Sequence, residues 1–227
     1  ASMAFAQDLA SVTETYNNGA TALQNGDKGA ALAAFQEALA GAEALGEEGA
    51  EIAGNCKTYI PDIQFSIAKE LVNAADYDNA VASLGTTIEL ANKFANEGVA
   101  EAAKALIPQV LMQKANGLLN AKDFTAAAAG YKAVLDADPN NGAAALRLGA
   151  ALSSAGDKDG AIAAFETAIA NGQESAANKQ LGNLYLKEAA ASLKAKNYAK
   201  AVEEALKVNE YGENAKAYQI AGQGSQL

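Results

Sequence analysis

The chain of 227 residues carries 27 acidic and 17 basic residues, a formal net charge of −10, and half of its residues are apolar. This balance argues against nucleic acids and anionic membrane surfaces as partners, because both are bound through clustered lysine and arginine. With no histidine and a single cysteine, Cys56, the sequence lacks the commonest general base and the ligands of a cysteine-type zinc site.

The first residues bear on the cellular compartment. Ala4-Phe5-Ala6, followed by Gln7-Asp8, resembles the small-x-small cleavage site at the end of a secretory signal. The alternative is that Ala1-Ser2 comes from an expression vector and that Met3 starts a cytoplasmic protein. We expect an exported, bacterial periplasmic protein. No membrane insertion is expected, because no apolar run approaches the roughly 20 residues that cross a bilayer.

In chain order, the sequence predicts five helix pairs and a final single helix. The first pair has a helix from Asp8 to Asn25, a turn at Gly26-Asp27 and a second helix from Lys28 to Ala44, and later copies repeat this plan. The pairs are predicted at residues 8–45, 48–95, 98–138, 141–172 and 175–211, and the final helix at 214–227.

The sequence of the third pair recurs in the fourth. The segment from Lys122 to Leu135 corresponds to the segment from Gly156 to Ile169, a step of about 34 residues. One position in the second helix is aromatic or large in the first four pairs, where it is Phe35, Leu84, Tyr131 and Phe165. In the fifth pair the same position is Ala205. We expect this residue to fill the gap between one hairpin and the next.

The chain resembles the tetratricopeptide repeat family in three features. These are the step of about 34 residues, the pair Leu148-Gly149 and the linker Asp138-Pro139-Asn140-Asn141. The resemblance implies an all-α, right-handed superhelical solenoid of antiparallel helix pairs in a single domain. It also implies a protein that binds other proteins or peptides, without catalysis and without a cofactor.

The spacing of the copies predicts longer helices near the N-terminus. One small residue of the second helix recurs at Ala31, Ala80, Ala127, Ala161 and Ala201. The first two steps of this series are each longer than the third by about four turns of helix. We expect elongated helices at these two junctions, forming projecting hairpins with tips near Gly49 and Gly98. Pro61 and Pro108 would then lie in long helices and kink or break them.

The resemblance places a ligand groove on the inner side, which the first helix of each pair lines. Residues one and two turns apart on that side are the candidates for ligand binding: Tyr16, Phe65, Lys69, Asn73, Gln109, Met112, Gln113, Asn116, Asn120, Arg147, Asn183 and Lys187. The same side also includes Asn17, Gln24, Asp62, Ser66, Leu146, Ser153, Leu186 and Lys194. Asparagine and glutamine can hold a peptide backbone without dictating its sequence.

Arg147 is the only arginine, and its guanidinium can hold a carboxylate through two parallel hydrogen bonds. Some members of the family bind the C-terminal carboxylate of chaperones through a clamp of lysines, asparagines and an arginine. Here Met112 stands in place of the leading lysine, and Arg147 and Lys187 replace the later asparagine and arginine. We therefore reject that specific function and keep a less specific site for an anionic peptide.

The sequence shows no catalytic constellation. Glu203-Glu204 are neighbours on a helix and point in different directions, which suits a solvated face better than an acid/base pair. The predicted function is a non-enzymatic scaffold that binds a peptide or a partner's helix in its groove. The alternative is a structural or assembly subunit that contacts its neighbours through the projecting hairpins or the C-terminal helix.

Overall fold

The computed structural model describes residues 8–225, which form helices joined by short turns and contain no strand. The helices are α1 (Leu9–Gln24), α2 (Lys28–Ala44), α3 (Ala50–Asn73), α4 (Tyr77–Lys93), α5 (Glu97–Asn120), α6 (Phe124–Ala137), α7 (Gly142–Ala155), α8 (Lys158–Ala170), α9 (Glu174–Lys194), α10 (Tyr198–Glu210) and α11 (Ala215–Ser225). They form five antiparallel pairs and a terminal helix, which confirms the predicted all-α fold. None of the described helices is both long and apolar enough to cross a membrane.

The chain divides into two compact units, one ending at Val110 and one beginning at Leu111, so the division falls inside α5. Unit 1 contains two apolar clusters, one around Phe35 and Cys56 and one around Leu84. Unit 2 contains one larger cluster that extends from α5 to α11. The expectation of a single domain stays a prediction.

The turn inside each helix pair has the same backbone conformation in all five repeats. Its left-handed residue has φ between 58° and 87° and is Gly26, Ala75, Lys122, Gly156 or Lys196. The next residue is Asp or Asn, and in four of the five repeats its side chain accepts a hydrogen bond from the backbone N–H three residues later. A left-handed conformation costs a non-glycine residue roughly 1–2 kcal/mol. Hairpin packing must offset this cost at Ala75, where Asp76 does not cap the next helix, and helix capping contributes as well at Lys122 and Lys196.

The second helix of each pair buries its aromatic or equivalent residue, as the sequence predicts. Phe35, Leu84, Tyr131, Phe165 and Ala205 are each at most 1% exposed. In the fourth pair the first helix makes room for the ring with Gly149, where a Cβ atom would lie only 2.5 Å from Phe165 Cε1. The small residue and the ring therefore mark the point where the two helices cross.

The helices at the first two junctions are elongated, also as predicted. Helices α3 and α5 each have 24 residues, whereas α7 has 14, and α2 and α4 have 17 each against 13 in α8. Both α3 and α5 continue through Pro61 and Pro108, so the prolines do not break them. Pro61 is fully buried, so its ring contributes to the core although it removes one backbone hydrogen bond from the helix.

The tip of the first long hairpin depends on a glycine. Residues Gly46–Gly49 form a single 3₁₀ turn between α2 and α3, and Gly49 is buried there. A Cβ atom on Gly49 would lie 2.1 Å from the carbonyl oxygen of Ala42, closer than any side chain tolerates. This close approach lets α3 pack along α2 immediately after the turn.

Cys56 is fully buried in unit 1, and burial raises the pKa of its thiol from 9.0 to about 11. Because the thiolate is the reactive form, this rise lowers the reactive fraction at neutral pH by about a hundredfold. We expect iodoacetamide to leave the native protein unlabelled at mildly alkaline pH and to label it fully in concentrated guanidinium. Rapid labelling of the native protein, followed by mass spectrometry, would contradict the buried position.

Candidate ligand-binding surface

The first helices present two rows of side chains at equivalent positions of the repeat. The apolar row is half-buried in every repeat and consists of Tyr16, Phe65, Met112, Leu146 and Leu186. The polar row consists of Asn17, Ser66, Gln113, Arg147 and Lys187, all exposed except the half-buried serine. The number of residues between successive members of each row equals the number between successive members of the series Ala31, Ala80, Ala127, Ala161 and Ala201. Each row therefore occupies one equivalent position in every repeat, on the same face of each first helix. We call this side of each first helix the first-helix face.

In unit 1, the predicted site residues pair with close neighbours and do not form one cluster. Tyr16 contacts Phe35 edge to face, with 5.3 Å between ring centroids. Lys69 lies 4.5 Å from the centre of the Phe65 ring, one helical turn away on α3. Asn73 and Gln109 are exposed, and Gln109 donates a hydrogen bond back to the Ala105 carbonyl at 3.4 Å. The aromatic members therefore have fixed surroundings, and the amides are available to solvent.

In unit 2, the structure brings two predicted site residues into direct contact. The amide oxygen of Asn116 on α5 accepts a hydrogen bond from Arg147 Nη1 on α7 at 3.2 Å. The same oxygen accepts a second bond, at 2.7 Å, from the hydroxyl of Tyr131 on α6. Asn116 thus links the first helices of two successive repeats.

This cluster orients Arg147 while leaving its charge uncompensated. Within residues 8–225, no carboxylate oxygen lies within 4.0 Å of the guanidinium. Burial raises the pKa of Tyr131, and the nearby Arg147 works in the opposite direction, so the tyrosine is a neutral hydrogen-bond donor at physiological pH. A guanidinium fixed at one nitrogen still has further N–H groups to offer an incoming acceptor.

The other predicted residues of unit 2 are less constrained. Met112 is half-buried and packs against the apolar cluster, while Gln113, Asn120 and Lys187 are exposed. Asn183 lines a cavity of about 350 Å³ between α9 and the connection from α10 to α11. The other residues around this cavity are mainly polar: Ser175, Asn178, Lys179, Gly182, Val208, Tyr211, Gly212, Glu213 and Asn214.

Sequence reasoning identifies Tyr131 as a core aromatic but misses its hydroxyl group. Equivalent positions in the other repeats hold Phe35, Leu84, Phe165 and Ala205, none of which can donate a hydrogen bond. A tyrosine at a position where its counterparts are apolar is a usable signal, because a buried hydroxyl requires a partner.

The interpretation of Glu203-Glu204 as a solvated pair is wrong for its second member. Glu203 is exposed, but Glu204 is only 4% exposed and accepts a hydrogen bond from the Ser192 hydroxyl at 2.7 Å. Lys158 and Lys200 place their ammonium groups 3.6 and 3.7 Å from its other oxygen. Glu204 lies on the face of α10 that packs against α9, where Ser192 donates to it, and the two lysines stabilise the buried charge.

Residues 118–182 match the model of the tetratricopeptide repeat, a stretch that includes Tyr131 and Arg147. The comparison with curated proteins gave no match. The family prediction is thus supported over residues 118–182, from the later part of the third predicted pair to the beginning of the fifth.

Among solved structures, the chain is similar to a Bacteroides ovatus protein at 17% identity, over 73% of this chain and 96% of that one, with a TM-score of 0.40. It is similar to MamA from Desulfovibrio magneticus at 19% identity, over 88% and 94%, with a TM-score of 0.33. It is also similar to the TPR2AB domain of yeast Sti1 in complex with pHSP90 at 17% identity, over 96% and 99%, with a TM-score of 0.34. At these values no partner or activity is transferred to this chain.

Proposed function

We propose that this protein is a non-enzymatic scaffold that binds a peptide or a helix of a partner protein on its first-helix face, as the tetratricopeptide repeat match suggests. Six of the twelve candidate residues belong to the two rows of this face, and the other six lie one or two helical turns from a row residue on the same helix. Binding of proteins is the ordinary function of stacked helix pairs, because their repeated helices offer a long surface made of equivalent positions.

The observation that carries the proposal is the hydrogen-bonded cluster of Asn116, Tyr131 and Arg147. Its bonds are 2.7 and 3.2 Å long and join three helices, so the guanidinium is held before any ligand arrives. A held side chain loses less conformational entropy on binding than a free one. Among residues 8–225 no carboxylate pairs with Arg147, although the chain has a net charge of −10, so this arginine favours a carboxylate of the ligand.

The two rows of the first-helix face add a requirement for shape. A half-buried apolar side chain beside an exposed polar one, repeated from helix to helix, fits a ligand that is apolar on one side and polar on the other. In unit 2 the polar row ends in Arg147 and Lys187, which places two cations beside Leu146 and Leu186. The preferred ligand of unit 2 is therefore an amphipathic segment with acidic residues.

Replacement of Arg147 tests this function. We expect peptides selected by the wild-type protein from a random phage-displayed library to be enriched in Asp and Glu. Arg147→Ala should weaken binding of the selected peptides at least tenfold in fluorescence polarisation, because it removes a charge-assisted hydrogen bond worth about 1.5–3 kcal/mol. Arg147→Lys should restore part of the affinity, since the charge returns without the planar fork.

Lys132→Ala is the matched control, because Lys132 is an exposed cation on the second helix α6. It should change the affinity less than twofold. The proposal fails if the library yields no binder, or if selected peptides bind the Arg147→Ala variant as tightly as the wild type.

A second candidate function is assembly with neighbouring subunits through the C-terminal helices. The observation in its favour is the exposure of Leu206 on α10 and Tyr218 on α11, each 54% accessible although large and apolar. Assembly through these residues does not involve α7, so Arg147→Ala would leave the sedimentation behaviour unchanged. The same variant therefore distinguishes the two functions.

A further inference from the structure

A hollow of about 330 Å³ lies between α1 and the start of α3 in unit 1. Its walls combine apolar, aromatic, amide and acidic side chains: Leu9, Thr13, Tyr16, Asn17, Glu48, Glu51, Ile52 and Asn55. Tyr16 and Asn17 belong to the two rows of the first-helix face. The wall opposite α1 consists of Glu48, Glu51, Ile52 and Asn55, none of which belongs to these rows.

The second wall comes from the residues that lengthen α3. Helices α1 and α3 end at equivalent positions, Gln24 and Asn73. Counted back from these two ends, the equivalent of Leu9 is Thr58, yet α3 already begins at Ala50. Residues 50–57 and the preceding 3₁₀ turn are therefore additional to the standard repeat. They build a wall that a repeat of standard length does not have.

The floor of the hollow is apolar and aromatic. Leu9 and Ile52 are half-buried, and the Tyr16 ring is fixed by its edge-to-face contact with Phe35. Burial raises the pKa of this tyrosine above its ordinary value, and the nearby Tyr59 acts in the same direction. A neutral tyrosine packed against Phe35 offers a ring face against which an alkyl chain or a cation can pack.

The rim of the hollow is acidic. Glu48 and Glu51 are both exposed, and no lysine or arginine is among the residues around the hollow. Within the described part of the chain, neither carboxylate has a cation within 4.0 Å, whereas Glu43 of the same hairpin pairs with Lys57 at 3.1 Å. The hollow thus joins an apolar interior to a rim whose two carboxylates are paired with no lysine or arginine of residues 8–225.

We propose that this hollow binds a lysine or arginine side chain of the partner segment. The alkyl stem of such a residue would pack on Leu9, Ile52 and the Tyr16 ring, and its charged end would lie between Glu48 and Glu51. Long basic side chains bury their stems and keep their charges at the surface, which matches an apolar floor under an acidic rim. The inference rests on the proposed function and names the chemistry of the partner at unit 1.

The test is a titration followed by the amide resonances of the ¹⁵N-labelled full chain. The probes are three blocked tripeptides, acetyl-Gly-Arg-Gly-amide, acetyl-Gly-Glu-Gly-amide and acetyl-Gly-norleucyl-Gly-amide. The arginine probe is expected to cause saturable shifts at residues 9–17 and 48–55, and its affinity should fall as salt is added. The glutamate and norleucine probes should cause at least fivefold weaker responses there.

The decisive variant is Glu48→Gln/Glu51→Gln, which keeps side-chain volume and removes both charges. It should weaken arginine-probe binding at least fivefold. The control Glu37→Gln/Glu89→Gln removes two exposed carboxylates of α2 and α4 that lie outside the hollow, and it should bind within twofold of wild type. All four substituted positions are exposed, so the variants are expected to fold.

The inference is overturned if the arginine probe shows no saturable shifts at the hollow, if the glutamate probe binds equally well, or if the two double variants behave alike. These outcomes are independent of the Arg147 test in unit 2. Suppose that binding of the library peptides depends on Arg147, whereas binding of the arginine probe does not depend on Glu48 and Glu51. This result would support the proposed function and contradict only this inference.

Discussion

Phe165→Ala is expected to lower the free energy of unfolding by about 3–5 kcal/mol, measured as a shift of the denaturant midpoint. The ring is 1% exposed and lies against Gly149, whose missing side chain provides its space. Because a glycine cannot fill the vacated volume, the substitution leaves a cavity between α7 and α8. Buried neighbours in the large apolar cluster of unit 2 would lose their packing contacts as well.

Thr167→Ala is the control for this substitution. Thr167 is two residues further along α8 and exposed, and its hydroxyl only donates to the Ala163 carbonyl of its own helix. A change within about 0.5 kcal/mol is expected. If Phe165→Ala leaves the midpoint where the control does, the crossing of α7 and α8 through Gly149 and Phe165 is wrong.

Lys158→Met is expected to cost about 2–3 kcal/mol, because it leaves the buried carboxylate of Glu204 with less compensating charge. The Lys158 ammonium lies 3.6 Å from Glu204 and 3.5 Å from Glu188, and it also faces the Tyr185 ring at 5.5 Å. The loss should stay below that of a fully buried ion pair, because the Lys158 side chain is 32% exposed and Lys200 remains.

The double variant Lys158→Met/Glu204→Met distinguishes the effect of the buried Glu204 charge from the effect of side-chain packing at the two positions. Replacing both partners with apolar residues of similar size removes the buried charge, so the double variant should be more stable than Lys158→Met alone. Lys104→Met, which breaks an exposed pair with Glu101, should cost less than about 1 kcal/mol. Additive effects of the two single substitutions at 158 and 204 would show that these charges do not interact.

The repeat plan could be read from the sequence because its signals are local. The Asp or Asn of the turn and the small and aromatic positions all lie within one hairpin, and they recur with the spacing seen in the structure. The left-handed residue before the Asp or Asn carries no such signal, because in three repeats it is Ala75, Lys122 or Lys196. The wide steps from Ala31 to Ala80 and from Ala80 to Ala127 likewise indicate longer helices, since an Ala- and Glu-rich insertion of about four turns adds to helices more readily than to loops. The twelve candidate residues remain predictions as binding residues.

Tertiary structure alone decided which polar side chains meet. Asn116 and Arg147 are far apart in the sequence, and their contact depends on the offset between two first helices and on the hydroxyl of Tyr131. Glu204 is buried whereas its neighbour Glu203 is solvated, because the packing of α10 on α9 determines which face turns inward. The local sequence pattern specifies each hairpin. The contacts between hairpins depend on the offset of the packed helices and on side-chain rotamers, which neighbouring residues in the sequence do not encode.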